Sequence, residues 1–303
     1  MITGRFATRT SVGMTRAAFS AQAWYRSTRR VRGNFGAMVG IALLLVVLVL
    51  AVFADVVAPY SVTAQDLDHA LQPPGPAHWF GTDTVGRDIL SRVIAGSRIS
   101  LEVVVLVLGV ALAIGGVLGS LAGYYGGLLD EIVMRVADVF FAFPHFLLAM
   151  AVVAALGPGL QNAMIAIAVA YWPRYARLIR ASILKARAEP YIEAARSVGC
   201  LDHRIILRHL LPNSVAPVLV QATMDAGIAI LTTASLSFVG LGAVPPTPEW
   251  GAMVAGGRNY ILTAWWIPTF PGILISITVA GFMFLGDGLR DLLDPTLRGR
   301  VGF

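Results

Sequence analysis

The apolar residues of this chain fall in long blocks separated by short charged or turn-rich stretches. From Gly36 to Ala54 nineteen residues pass without a charge, and comparable blocks lie near residues 100–123, 133–156, 162–180, 215–238 and 268–288. A helix needs roughly 20 apolar residues to cross about 30 Å of hydrocarbon, so each block predicts one crossing. The pattern therefore predicts an all-α membrane protein with six transmembrane helices. Pro144 lies inside the third block, where the missing N–H bends a helix, and Gly157-Pro158-Gly159 supplies a turn before the fourth.

Composition agrees with the pattern. With 57% apolar residues, 13% charged residues and a mean hydropathy of +0.74, the chain lies outside the usual range of a water-soluble domain. Its single cysteine, Cys200, forms no internal disulfide and lacks metal-ligand spacing, so no metal site is expected. The net charge of +6 does not point to nucleic acid, because the basic residues flank apolar blocks and are not interleaved with aromatics. It points to orientation. Residues 1–33 carry seven arginines and no acid, and the block behind them exceeds the roughly 7–15 residues of a signal-peptide core, so an uncleaved helix with a cytoplasmic N-terminus is expected. Six spans place both termini inside. Lysine and arginine then number seven in the tail, one at Arg135, eight between 174 and 208 and three near the C-terminus, against Arg87, Arg92, Arg98 and Arg258 outside. That bias orients bacterial membrane proteins.

The expected organisation is a basic cytoplasmic tail (1–33), a first transmembrane helix (34–58), an extracytoplasmic loop (59–98), a five-helix core (99–290) with a cytoplasmic loop at 185–213, and a short cytoplasmic tail (291–303). In the outer loop Asp83 with Arg87 and Asp88 with Arg92 are spaced i, i+4, which suggests a solvated surface helix. Gly115, Gly119, Gly123 and Gly127 recur every four residues and predict a small-residue ridge for close helix packing. Arg174, Arg177 and Arg180 share a face at the end of span four and are expected to anchor in lipid headgroups. Among acids in or near spans, Glu102, Asp138 and Asp287 fall near ends, whereas Asp225 lies deeper and is read either as a polar helix contact or as a residue of a translocation path.

Residues 191–213 read as two short helices with a break: Gly199 ends the first in a left-handed conformation, Asp202 caps the second, and Pro212 perturbs its continuation. The result is a compact knob between spans four and five, suited to act as a lever, although the pattern alone also fits an ordinary intracellular loop. An ATPase in this chain is excluded, because the only lysine, Lys185, is followed by Ala186 and no phosphate loop exists. An intramembrane enzyme lacks a constellation: His145, beside Pro144, has no evident partner in sequence.

Glu193-Ala194-Ala195, then Gly199, then nine residues, then His209-Leu210-Leu211-Pro212 resembles the signature of ATP-binding-cassette importer permeases. The loop His78-Trp79-Phe80-Gly81-Thr82-Asp83, followed by Gly86-Arg87-Asp88 and Ser91-Arg92, resembles that of the dipeptide, oligopeptide and nickel branch. Leu236-Ser237-Phe238-Val239-Gly240-Leu241-Gly242, Pro248-Glu249-Trp250-Gly251, Trp265-Trp266, Phe270-Pro271-Gly272 and Gly286-Asp287-Gly288-Leu289-Arg290-Asp291 extend the likeness over about residues 35–298. Met283 departs from it, standing where the family commonly has Asn.

The resemblance implies a type I importer permease fold and a bacterial inner-membrane location. It also implies that Glu193, Ala194, Ala195, Gly199, Asp202, His209, Leu211 and Pro212 couple the chain to a separate ATPase. That ATPase, two subunits or one tandem chain, would bind ATP and Mg, and this chain would hold no cofactor. A homologous second permease subunit and an extracytoplasmic solute-binding protein complete the implied assembly. A peptide cargo is expected, with nickel or another small solute as the alternative and an ion-coupled transporter or channel as the rival class.

Overall fold

The computed structural model describes residues 34–293; the expected tail 1–33 and most of the tail 291–303 lie outside the described residues. Asn34 caps the first helix, its side-chain oxygen accepting from the Ala37 N–H at 3.1 Å, which satisfies one of the donors a helix start leaves open. Helix α1 spans Phe35–Val52 and is followed by the one-turn α2, Ala54–Val57. Helix α3, Ile89–Tyr125, runs for 37 residues, about 55 Å at 1.5 Å per residue. Then come α4 (Gly127–Phe141), α5 (His145–Leu156), α6 (Leu160–Arg187), α7 (Pro190–Ser197) and α8 (Asp202–Ile205). A π-helical turn, Ile206–Leu210, joins α8 to α9 (Leu211–Phe238), and α10 (Trp250–Gly257) and α11 (Trp266–Leu293) complete the described chain.

Four helical runs are long and apolar enough to cross a membrane: α1, α3, Asp202–Phe238 and α11, with a fifth if α4 and α5 form one crossing. Helix α6 is not among them, with Arg174, Arg177 and Arg180 in its second half. The expected third span, 133–156, is not a single helix. Helices α4 and α5 meet at 92°, with Pro144 at the N-cap of α5, where it has no N–H to continue a helix and restricts the residue before it. Between the expected second and third spans the chain breaks only at Gly126, at φ +69°. Helix α3 starts at Ile89, so the last ten residues of the expected outer loop, 89–98, are helical.

Helix α3 lies along α6, which also packs on α5 and α9; α9 packs on α11, and α11 on α1 and α10. The α3–α6 seam is the glycine ridge. A Cβ on Gly115 would lie 2.6 Å from the Trp172 carbonyl oxygen, one on Gly119 2.4 Å from that of Ala176, and one on Gly123 3.0 Å from that of Arg180. These are backbone approaches that only a missing side chain permits. Gly127 is not on the ridge: it follows the break at Gly126, and nothing lies near its Cβ direction. A second seam joins α1 to α11, where a Cβ on Gly40 would meet the Leu285 nitrogen at 2.6 Å. The main apolar core gathers Val103 and Val107 of α3, Val153 of α5, Ile167 and Tyr175 of α6 and Ala229 of α9. Outside it Leu45, Val46, Val105, Val117 and Leu147 are exposed, the apolar exterior that a lipid environment solvates.

Candidate coupling and translocation sites

The knob is held from beneath. Ile192 of α7, Ile205 of α8 and Leu210 of the π turn are fully buried against Ile183 of α6, with Tyr124 from the end of α3 in the same cluster. Gly199 stands at φ +79° and ends α7 as expected. Asp202 does not cap α8: the N-cap is Leu201, and the Asp202 carboxylate instead accepts from the Tyr124 hydroxyl. Arg187 donates to the Tyr124 carbonyl at 2.7 Å, and the Arg196 guanidinium lies 5.3 Å from the Tyr124 ring centre. Tyr124 therefore ties the knob to α3, a role that a tyrosine in a sequence does not announce. Pro212 sits in the first turn of α9, directly after the π turn; a proline without an N–H at this point leaves an upstream carbonyl that a wider turn accommodates.

Above this base the outer face is open. Glu193, Ala194, Gly199, Asp202 and Pro212 are exposed, and Ala195, His209 and Leu211 are half-buried. Val198 is 80% and Leu201 65% exposed, large apolar groups at the break between the two helices.

Asp225 is fully buried on α9. Its Oδ1 accepts from Arg174 Nη1 and from Gln221 Nε2 at 3.0 Å, and its Oδ2 from the Tyr175 hydroxyl at 3.0 Å. The structure thus brings the deepest acid to the α6–α9 contact with three donors. Gln221 also lines a cavity of 520 Å³ with Leu178, Pro217, Met224 and Arg290. The arginines expected to anchor in headgroups are each paired: Arg174 with Asp225, Arg177 with Asp138 at 2.6 Å, and Arg180 through two nitrogens with Asp130. Asp138, expected near a span end, accepts from Arg177. Three arginines one turn apart on α6 so tie it to α4 and α9; in a low-dielectric region a paired charge is far cheaper than a lone one. The buried Nδ1 of His145 has no hydrogen-bond partner among the described residues.

The loop expected to lie outside packs as a buried clasp and not as a solvated helix. Asp83 Oδ1 accepts from the backbone N–H groups of Val85 and Arg87 at 3.0 Å, and its Oδ2 from Arg87 Nε at 2.6 Å. Asp88 does not pair with Arg92. It caps α3 by accepting from Ser91 N at 2.7 Å and bonds His78 at 2.9 Å. Thr82 is fully buried, with its hydroxyl on the His69 carbonyl at 2.6 Å and its own carbonyl accepting from Trp266 at 3.1 Å. Gly86, at φ +76°, passes so close to Asp66 that a Cβ would lie 1.7 Å from its carbonyl oxygen, and Gly81 turns at φ +74°. Phe80 stacks on Phe270 at 3.9 Å between ring centres. At the rim His69 bonds Asp66 and holds its carboxyl below the usual carboxylate range. Trp250, which donates to the Val93 carbonyl at 2.9 Å, and Glu249, which caps α10, join the clasp to the C-terminal third.

A helical bundle with a buried, paired Asp225, an open-faced knob at one end of α3 and a packed clasp at the other describes an all-helical, multi-span membrane permease. Residues 115–299 match the family described as binding-protein-dependent transport system inner membrane component, and residues 22–74 match the N-terminal transmembrane domain of oligopeptide transport permease C. The chain belongs to this family: it is a permease subunit of a bacterial ABC importer, a multi-pass inner-membrane protein that is not itself an enzyme and leaves ATP to a partner ATPase. It is 44% identical over 275 residues to the dipeptide transport system permease protein DppC of Alkalihalophilus pseudofirmus, covering 91% of this chain and 90% of that one. It is 47% identical to the probable D,D-dipeptide transport system permease protein DdpC of Escherichia coli K12, over 85% of this chain and 87% of that one. The glutathione transport system permease protein GsiD of Escherichia coli O6:K15:H31 matches at 47% over 91% of each chain. Among solved structures the MetNI methionine ABC transporter in inward-facing conformations matches with a TM-score of 0.52, 22% identity, 67% of this chain and 97% of that chain, a likeness of fold.

Proposed function

We propose that this chain is a six-span subunit, both termini cytoplasmic, that passes peptides across the inner membrane by alternating access. A homologous permease subunit lines the path with it, ATPase subunits drive it, and an extracytoplasmic solute-binding protein supplies it. The relatives named for dipeptide, D,D-dipeptide and glutathione transport support a short peptide with a free carboxylate as cargo. In this reading α6 supplies the sixth crossing, its arginines tolerated because each has an acid partner.

The observation that carries the reading is the two-sided knob: Ile192, Ile205 and Leu210 fully buried beneath, Glu193, Ala194, Val198, Gly199 and Leu201 exposed above. A rigid base joined to α6 and α9, with small and apolar groups outward, suits docking by an ATPase whose closure tilts both helices together. Asp225 is assigned to the edge of the path through Gln221, which touches both the carboxylate and the 520 Å³ cavity.

The test is uptake in proteoliposomes. Glu193→Lys or Gly199→Asp, both on the exposed face, are expected to abolish ATP-driven uptake while the chain still inserts and assembles with the second permease. Uptake by this chain alone, driven by an ion gradient, would sink the importer reading.

A further inference from the structure

Between the clasp and α10 lies a pocket of 160 Å³ lined by Asp83, Thr84, Arg87, Arg92, Thr247 and Gly256, among others. It is at the Ile89 end of α3, a helix length away from the knob, which binds the Tyr125 end. Its charge is unbalanced. Arg92 is 4% exposed and Arg87 13% in their side chains, yet the one carboxylate in the lining is Asp83. Asp83 gives its close contact to Arg87 Nε at 2.6 Å, and Arg92 Nε stands 3.8 Å away. The neighbouring acids are engaged elsewhere, Asp88 on the cap of α3 and His78, Glu249 on the cap of α10.

Arg92 Nη1 donates to the Val62 and Pro246 carbonyls at 3.0 and 3.2 Å. Among the described residues the terminal nitrogens of Arg87 and the Nη2 of Arg92 have no hydrogen-bond partner. Two guanidiniums facing one carboxylate leave a net positive charge in a partly enclosed pocket, with terminal nitrogens free to donate to an anion. A guanidinium fork matches a carboxylate's two oxygens. The volume equals the share of about five liquid waters, room for a carboxylate and a short stem but not for a folded segment of another protein.

From these observations we propose that the pocket formed by Arg87, Arg92, Thr84 and Thr247 binds the free carboxylate of the peptide cargo on the extracytoplasmic side. The site rests on the peptide-importer reading and adds a recognition element to it: Arg87 meets the carboxylate through its terminal nitrogens while Asp83 holds its Nε, and the threonine hydroxyls donate at the rim.

The experiment uses the full chain in its assembled transporter in nanodiscs, with radiolabelled Ala-Ala and its C-terminal amide as probes, measured by equilibrium dialysis. Ala-Ala is expected to bind at least tenfold tighter than the amide, and Arg87→Gln to remove that preference. Because Arg87 also clasps Asp83, its variant has a second role. Gly256→Leu is the independent variant: Gly256 lines the pocket and no atom lies within 4 Å of a Cβ there, so a leucine is accommodated without a clash and, by narrowing the pocket, is expected to weaken Ala-Ala at least tenfold. Equal binding of Ala-Ala and the amide, or a Gly256→Leu variant that binds Ala-Ala as the wild type does, overturns the proposal. ATP-driven Ala-Ala uptake by the same preparation separates the two readings. Uptake without carboxylate-dependent binding overturns the pocket alone, and binding without uptake overturns its assignment to cargo.

Discussion

Replacing Asp225 by asparagine tests whether the α6–α9 contact depends on charge. The side chain is fully buried with three donors around it. Asparagine keeps the shape and one acceptor, and the Tyr175 hydroxyl can reverse its role to accept from the new amide. What disappears is the charge facing Arg174. Breaking a buried ion pair costs about 3–5 kcal/mol. Arg174 is 32% exposed and recovers part of its hydration, so about 2–3 kcal/mol is expected for Asp225→Asn. By the scaling of single domains of this size that lowers the Tm by about 5–10 °C. The assay is thermal unfolding of the purified chain in nanodiscs for Asp225→Asn, Arg174→Gln and the double variant. The double variant should be less destabilised than the sum of the singles by more than about 1 kcal/mol, as partners in direct contact are. A Tm within about 1 °C of wild type for Asp225→Asn, or strict additivity, refutes the pairing argument.

Gly119→Leu should disrupt the α3–α6 seam, since the new Cβ meets the Ala176 backbone at 2.4 Å; overpacking costs about 1–3 kcal/mol or more, and loss of the folded fraction on size-exclusion chromatography checks it. Gly86→Ala should destabilise the outer clasp, because its φ is +76° and the Asp66 carbonyl occupies the Cβ position. Limited proteolysis should then cut near residues 60–88, with no change if the clasp is not packed as described. Asp202→Asn should leave α8 formed, since Leu201 is its N-cap, while weakening the tie to Tyr124. Hydrogen exchange in 190–210 should rise in this variant, and unaltered exchange there would remove Tyr124 from the account.

Long-period features were legible in the sequence and cross-chain partners were not. The ridge of Gly115, Gly119 and Gly123 could be read because an i, i+4 repeat places residues on one face wherever the partner lies. The left-handed turn at Gly199 was legible for a similar local reason. Asp138 and Asp130 are 39 and 50 residues from the arginines they meet, and no local rule links them. The signal was nevertheless present: each is an acid within reach of an apolar block, and the basic face of α6 offered three cations needing partners. The clasp misled for a related reason. Spacing of i, i+4 suggested surface pairs, but Gly81 and Gly86, both at positive φ, fold the segment back so that Asp83 and Asp88 serve backbone N–H groups. The 92° bend was foreshadowed by Pro144, although its size reflects packing that a single residue does not specify.

Helix α3 begins in the clasp, where Asp88 caps it, and ends in the knob, where Tyr124 meets Asp202. One uninterrupted rod of 37 residues therefore sets the angular phase between the two ends. Each residue turns a helix by about 100°, so a single insertion between Val103 and Gly115 would swing the clasp a quarter-turn or more relative to the knob, leaving each end locally intact. Such a chain has a fixed gear ratio between its faces. The length of this helix is therefore constrained by the geometry of its two ends, whichever side chains line it.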